Sequence, residues 1–416
     1  MAQIYLVGGA VRDKLLGLPV QDRDWVVVGS SAQELIAQGF LPVGRDFPVF
    51  LHPKTHEEYA LARTERKTAK GYAGFAFDTS SQVTLEDDLS RRDLTINAMA
   101  EDSSGCLIDP FGGKKDLQNK ILRHVSPAFC EDPVRILRTA RFAARYGFQV
   151  APETKALMKT MVENGEVSAL VPERVWQEIA RGLMEKTPSK MFAVLKECGA
   201  LSIILPEINA LYGVPQRADY HPEIDCAVHT MMALDYAAQH NFSLPERYAT
   251  LTHDLGKALT PSDILPKHHG HEKAGIKPVK TLNKRLNVPK DCAKLALLVV
   301  EYHGKFHSLN ELRPATIVDI LHQTDAFRQV QRFISAIKIG FADTRGRLTF
   351  EHAPYPQFDY WQSILKICQE IDIQKIVQQC EDKSKLPEQI RTARINAVRE
   401  WKKKTFEFSG SLKCFI

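Results

Sequence analysis

The 416-residue chain lacks any apolar run approaching the ~18 residues a membrane-spanning helix needs, so no span is expected. Its N-terminus has no basic segment leading into a long apolar stretch, so no secretory leader is read. None of the eight cysteines, at 106, 130, 198, 226, 292, 368, 380 and 414, stands in Cys-x-x-Cys spacing. That argues against both a zinc framework and a disulfide scaffold. Reduced thiols in a cytoplasmic protein are the simpler reading. Internal repeats, low-complexity tracts and long linkers are also missing. There is little charge imbalance: the net of +5 is compatible with nucleic acid without demanding it. What is present is a hydrophobic content of 44%, ordinary for a globular core, and a length that suggests about three domains.

The first two dozen residues carry the densest chemistry. Ile4-Tyr5-Leu6-Val7 is a short apolar run ended by Gly8-Gly9, and Arg12 follows. Glycines let a backbone approach a phosphate and leave N–H groups to bind it. An arginine can add a charged fork to the same phosphate. Asp22 and Asp24 flank Arg23 ahead of Trp25-Val26-Val27-Val28. On a strand, alternate residues share a face, which would set the carboxylates about 6–7 Å apart. Unpaired, they repel and raise one another's pKa. A hard cation such as Mg²⁺, shared with substrate phosphates, removes that cost.

Gly-Gly followed within ~20 residues by Asp-x-Asp resembles the nucleotidyltransferase motif of the polymerase-beta superfamily. Gly8-Gly9-Ala10-Val11-Arg12-Asp13 with Asp22-Arg23-Asp24-Trp25 is more specific still. It resembles the bacterial tRNA nucleotidyltransferase/poly(A) polymerase family, the class II CCA-adding enzymes.

Further along, Ser31 to Gly39 reads as a small helix, with strands at 47–51 and 58–62 forming a hairpin. Residues 64–80, charged and glycine-containing, read as a mobile loop near the active site or a plain solvated one. Leu89 to Ala100 reads as a buried helix opened by Arg91-Arg92-Asp93. The resemblance assigns that triplet to ribose and phosphate contacts, most directly through Arg92. Asp109 is either a third carboxylate of the head metal site or the start of an Asp-Pro turn.

Asp132-Pro133 is a strong helix start, an N-cap acceptor followed by proline at the first position. Arg135, Arg138, Arg141 and Arg145 then fall within about a third of the helix circumference. Such a stripe is either a solvated face or a wall presented to a nucleotide. The resemblance favours the nucleotide: Glu131, Asp132 and Arg135 match the family's base-reading motif, and Arg138 and Arg141 become phosphate contacts. A carboxylate with a guanidinium complements the amino donor and ring-nitrogen acceptor shared by cytosine and adenine. It mismatches uracil and guanine. Pro172 to Ala180 reads as helical core packing.

A second constellation comprises His229, His253-Asp254 with Gly256-Lys257, His271 and His303. Imidazoles and a carboxylate suit a borderline transition metal. Order and spacing resemble the HD superfamily of metal-dependent phosphohydrolases, which implies these five as the metal environment. Its closing aspartate is left open between Asp325 and Asp343.

The expected fold class is α+β. A small mixed-sheet polymerase-beta-like head (1–140) is followed by an all-α neck (141–225), an HD domain (226–330) and C-terminal helices (331–416). The resemblance implies template-independent addition of C, C and A to the tRNA 3′ end from CTP and ATP. Asp22 and Asp24 would hold Mg²⁺, and Gly9, Arg12, Arg92, Asp132, Arg135, Arg138 and Arg141 the nucleotide. It also implies phosphatase, 2′-nucleotidase and 2′,3′-cyclic phosphodiesterase activity on a metal such as Ni²⁺. Poly(A) polymerase is the alternative. A monomer or a homodimer without membrane contact is expected.

Overall fold

The computed structural model describes residues 2–43, 49–67 and 75–407. They fall into two compact units, 1–206 and 207–416.

The first unit opens with a mixed seven-stranded sheet. Its strands are β1 (Gln3–Val7), β2 (Asp24–Val28), β3 (Leu41–Val43), β4 (Val49–Leu51), β5 (Glu58–Leu61) and, after the hairpin strands β6 (Thr64–Lys67) and β7 (Phe75–Asp78), β8 (Ala100–Glu101) and β9 (Leu107–Ile108). The order is β3-β4-β5-β2-β1-β8-β9, with only the β2–β5 pair parallel. Val26 and Val27 are buried on opposite faces of β2, because successive strand residues point to opposite sides. Val26 packs with Val7, Leu89 and Ala98, while Val27 packs with Leu35, Phe50 and Leu61. A core on both faces explains the continuous apolar run at 25–28.

Helix α1 (Gly9–Leu15) springs from the β1 turn, and α2 (Ala32–Ala37) starts at a Ser31–Glu34 capping box. The expected 47–51 and 58–62 strands form an antiparallel pair, with Phe47 and Pro48 outside the described residues. The loop expected at 64–80 is corrected: β6 and β7 pair as an antiparallel hairpin, while 68–74 lie outside the described residues. Phe75 and Phe77 alternate with Ala76 and Asp78, a period of two that the charged run before them masked.

Helix α3 (Leu85–Ser90) ends where Arg91 begins, and Thr95–Asn97 forms only a 3₁₀ turn. The arginines therefore follow a helix rather than open one, correcting the expected helix start there. After α4 (Gly113–Asn119), helix α5 (Val134–Tyr146) follows. Asp132 acts as its cap: its Oδ1 accepts from Val134 N–H at 3.0 Å and its carbonyl from Arg135 N–H at 3.0 Å. The division expected at 140/141 falls inside α5, which serves head and neck alike. Helices α6 (Pro152–Glu163), α7 (Pro172–Leu183) and α8 (Ser189–Glu197) follow in this unit.

The second unit is helical. Helices α9 (Cys226–Gln239), α10 (Leu244–Thr252), α11 (His271–Arg285), α12 (Lys290–His307), α13 (Pro314–Gln323) and α14 (Val330–Arg345) build its first part. Helices α15 (Gln357–Gln369) and α16 (Leu386–Glu407) close it. Trp361, Phe306 and Phe333 pack edge to face at its centre. Among the described residues, no helix is long and apolar enough to cross a membrane.

Candidate functional site

In the first unit, the register of β1 on β2 sets Val7 opposite Asp24. Asp24 therefore stands beside the turn at Gly8, which takes φ +67° and donates its N–H to Met99 O at 3.1 Å. The positive φ favours glycine at this position, and a Cβ there would lie 2.7 Å from Arg92 Nη1 and push that guanidinium aside. Gly9 is the first residue of α1. Asp22 lies just outside the strand, exposed like Asp24. Crowding by the surrounding chain raises the Asp24 pKa, Arg92 pulls it down, and Asp22 pushes it up again. A carboxylate that is partly desolvated beside a second carboxylate is a ready ligand for a divalent cation.

Arg92 is clamped by Asp88, a buried carboxylate that holds Arg92 Nη2 at 3.1 Å and Arg91 Nη2 at 2.5 Å. Burial disfavours charge on Asp88, but Arg92 and Arg91 overcome it and lower its pKa. Arg12 is buried, donating to Asp13 Oδ1 at 2.8 Å and Asn97 Oδ1 at 2.5 Å. Asn97 Nδ2 donates to Asp93 Oδ1 at 2.9 Å, and Arg138 Nε donates to Asp93 Oδ2 at 2.7 Å. Burial opposes the Asp93 charge, yet Arg138 and Asn97 hold its carboxyl far below the usual range. One polar chain thus runs Arg12–Asn97–Asp93–Arg138 and joins α1 to α5.

Arg135 Nη1 and Nη2 donate to Ala128 O and Arg91 O, each at 2.6 Å, tying α5 to the Arg91-Arg92 segment. Asp132 does not pair with Arg135; it accepts from Arg174 of α7 at 3.2 and 2.7 Å. Arg141 turns to Glu178 at 2.6 Å and to Glu185 at 3.5 Å. So Gly9, Arg12, Asp24, Arg92 and Arg138 belong to one connected neighbourhood, with Arg135 at its edge and Arg141 held by α7. The sequence reading missed Asp88, Arg174 and Glu178. Asp109 accepts from the N–H groups of Gly113 and Lys114 at 2.7 and 2.9 Å, the turn-forming alternative.

In the second unit, the five expected ligands converge. His229 Nε2 lies 3.1 Å from Asp343 Oδ1, and His253 Nε2 lies 3.1 Å from Asp254 Oδ2. His271 Nε2 and His303 Nε2 lie 3.4 and 3.5 Å from Asp254 Oδ1. The donor atoms form two triads, His229–His253–Asp343 and Asp254–His271–His303. Of the two aspartates left open, the structure brings Asp343 to these donors. Asp325 instead pairs with Arg328 at 2.7 Å. His253 and Asp254 do not lie within an apolar helix: His253 caps the end of α10 and Asp254 begins a 3₁₀ turn.

Lys257 Nζ stands 2.7 Å from Asp254 Oδ2. Burial works against the Asp254 charge, but His253 and Lys257 keep its pKa well below normal. Even so, both Asp254 oxygens and His253 Nε2 are buried without a well-directed hydrogen bond. Buried lone pairs left this way are costly. Together with the opposed Nε2 atoms of His271 and His303, 3.1 Å apart, they fit a metal ion. Glu223 Oε1, 3.0 Å from His229 Nδ1, orients that ring from behind. His307 holds Asp343 Oδ2 at 2.6 Å, and Arg347 holds Oδ1 at 2.8 Å. Sequence reading missed these three supports. His307 alone left a signal, standing one helical turn after His303.

Comparison with known families matches the poly A polymerase head domain over residues 4–123 and the probable RNA and SrmB-binding site of polymerase A over 147–212. The HD domain family matches over 227–327. A multifunctional CCA protein of Neisseria meningitidis is 64% identical over 399 residues, covering 95% of this chain and 96% of the relative. That of Chromobacterium violaceum is 60% identical over 404 residues, covering 96% and 99%. The fold is shared with the Thermotoga maritima CCA-adding enzyme solved with tRNA, at TM-score 0.64 and 21% identity over 95% of this chain and 86% of that one. It is shared also with the Bacillus stearothermophilus CCA-adding enzyme solved with CTP, at TM-score 0.62 and 21% identity over 96% and 89%. Divalent-metal dependence follows from the head and HD families together. With high identity over nearly the whole length, and these three families in succession, the chain belongs to the bacterial multifunctional CCA-adding enzymes.

Proposed function

We propose that the chain adds C, C and A to the 3′ end of tRNA from CTP and ATP, in the cytoplasm. The observation carrying this reading is the placement of Asp24 opposite Val7, beside the Gly8–Gly9 turn and under the charge of Arg92. Asp22 and Asp24 would hold Mg²⁺. When bound, it supplies charge neutralisation for the triphosphate and lowers the pKa of the attacking 3′-hydroxyl.

The chain's own residues do the rest. The Gly8–Gly9 turn brings backbone close to a phosphate, and Arg92, steadied by Asp88, supplies charge there. Arg12 and Arg138 stand behind it as further phosphate contacts, whereas Arg141, expected to join them, is turned to Glu178. Asp93, with Arg138 and Asn97 upon it, keeps that wall rigid. Asp132 would accept from the base's amino group and Arg135 donate to the neighbouring ring nitrogen, selecting cytosine and adenine without a nucleic-acid template. Each Arg135 Nη keeps a second N–H for that purpose. The RNA is recognised through shape and backbone rather than sequence.

The HD unit is proposed to remove 2′-phosphates and open 2′,3′-cyclic phosphates. His229, His253, Asp254, His271, His303 and Asp343 would hold a transition metal such as Ni²⁺. The buried, poorly satisfied oxygens of Asp254 support this part.

Incubating the chain with tRNA lacking its terminus, with CTP and ATP separately and together, tests the addition. Two cytidines and one adenosine are expected. Long adenosine tracts from ATP alone would instead establish a poly(A) polymerase. Asp24→Ala should abolish addition while leaving tRNA binding and phosphate release nearly intact.

A further inference from the structure

The second unit holds a cavity of about 440 Å³, the size of sites that take a small organic molecule rather than a lone ion. Three helices line it with their starts. Ser243 and Pro245 come from α10, Lys290 and Lys294 from α12, and Gln329 and Arg332 from α14. The same helices bear HD ligands toward their other ends. His253 follows α10, while His303 and Asp343 each lie 13 residues beyond the first residue of their helix, about 20 Å at the helical rise. None of the residues assigned to either centre lines this cavity.

Its lining is cationic. Lys290, Lys294 and Arg332 stand against one carboxylate, Asp291, whose Oδ1 accepts from Cys292 N–H at 2.8 Å. Lys290 and Lys294 are exposed, and neither has an ion-pair partner among the described residues. Arg332 is partly buried, with Nη2 donating to Thr324 O at 3.2 Å. Asp325 Oδ2 is 3.9 Å from that guanidinium, and Arg328 already holds both Asp325 oxygens, at 2.7 and 3.2 Å. Arg332 Nε is buried with no hydrogen-bond partner, so the guanidinium has donor capacity to spare. Glu246, buried in the first turn of α10, is already held by Ser243 N–H at 2.8 Å and Lys338 Nζ at 3.0 Å. The three helix starts add unpaired N–H groups and partial positive charge.

These groups suit an anion of particular chemistry. Three cations against one carboxylate leave +2, which matches the charge of about −2 on a phosphate monoester at neutral pH. Arginine and lysine together are the side chains that hold such a group. The remaining volume is bounded by Pro245 and Leu295, an apolar wall, and by the amides of Gln329 and Gln331. That combination takes an organic group with polar edges.

We infer that this cavity is a binding site for an organic phosphate monoester, with Lys290, Lys294 and Arg332 on the phosphate. It is independent of both proposed activities, since it shares no residue with either.

The test titrates the full-length chain calorimetrically with adenosine 5′-monophosphate and, separately, with glucose 6-phosphate. EDTA is present so that neither metal site contributes. At least one ester should bind, and the tighter of the two identifies the organic part. Lys294→Glu and Arg332→Gln should each weaken binding about tenfold or more, the loss of one charge-assisted bond. Lys294 is exposed, so its variant keeps the fold even if Arg332→Gln does not. Lys277→Glu, the same charge reversal at an exposed lysine of α11 outside the cavity, should leave the affinity unchanged. Equal affinity in the parent and both cavity variants overturns the site, as does failure of both esters to bind at millimolar concentration. Equal weakening by Lys277→Glu would assign the effect to the overall field and overturn it too. Inorganic phosphate binding as tightly as the esters would remove the organic ligand from the assignment.

Discussion

Asp88→Asn separates the carboxylate that arranges the head arginines from the arginines themselves. The Asp88 side chain has no exposure, whereas those of Arg91 and Arg92 keep 15% and 20%. Removing one partner of a buried ion pair costs ~3–5 kcal/mol. Here asparagine retains the volume and one acceptor oxygen, both guanidiniums reach solvent, and Arg91 also donates to Arg63 O at 2.9 Å. About 2 kcal/mol is therefore expected, taking the lower end of that range and discounting it for the solvent edge. Local stability over residues 85–100 can be read by hydrogen exchange with mass spectrometry. Exchange there should accelerate about 30-fold at pH 7, since each 1.4 kcal/mol is a factor of ten. The folded pKa of Asp88 lies below its ordinary 3.8, so its charge stabilises the fold above that value. That contribution is lost as pH falls through the folded pKa. The exchange ratio of variant to parent, taken at one pH so that intrinsic rates cancel, should stay flat from pH 7 to about 5 and shrink below. Addition from CTP should lose about tenfold in kcat/KM, short of the ~10² of a 1 Å misplacement, because Arg92 keeps its bond to Asn97 O. An exchange ratio near one at pH 7, or one that grows toward acid, would refute this account of Asp88.

Other substitutions probe the remaining contacts. Glu178→Ala removes the nearer carboxylate from the buried Arg141 guanidinium, leaving Glu185 at 3.5 Å, and should cost about 3 kcal/mol in thermal unfolding, with much of the loss recovered by adding Arg141→Met. Glu223→Gln should weaken metal binding about 10- to 100-fold in calorimetric titration, as loss of the group behind a histidine ligand does, while nucleotide addition is unchanged. Asp343→Ala should lose bound Ni²⁺ in elemental analysis after dialysis. Asp325→Ala, which breaks the pairs with Arg328 and Arg332, should retain it; the reverse pattern would displace Asp343 from the site.

Much of this was legible where chemistry is local. The Gly8-Gly9 turn, the small helix from Ser31 and Asp132 before Pro133 are spelled out by adjacent residues, and the structure places each as read. The histidines and Asp254 of the HD cluster, which the structure brings together, stood out because such residues are rare in that spacing. Choosing Asp343 over Asp325 needed the third dimension, since only α14 brings its carboxylate to His229. Reading failed where a partner lies far along the chain. Glu178 sat in a helix that looked like plain core packing, because nothing in its own neighbourhood announces Arg141, 37 positions earlier. Arg174 was passed over for the same reason, 42 positions from Asp132. The 64–80 hairpin was hidden by a different cause: charge outweighed a faint alternation.

The pairing of Val7 with Asp24 makes the head tolerant of length changes in one place and intolerant in another. An extra residue between Gly17 and Gln21 would merely lengthen a surface connection. The same insertion within Trp25–Val28 would slide the ladder one step and invert every side chain beyond it, driving Val26 and Val27 out of their respective cores. Evolution of this protein can thus vary the span between its glycine turn and its acids, but not the two hydrogen-bonded ribbons that bring them face to face.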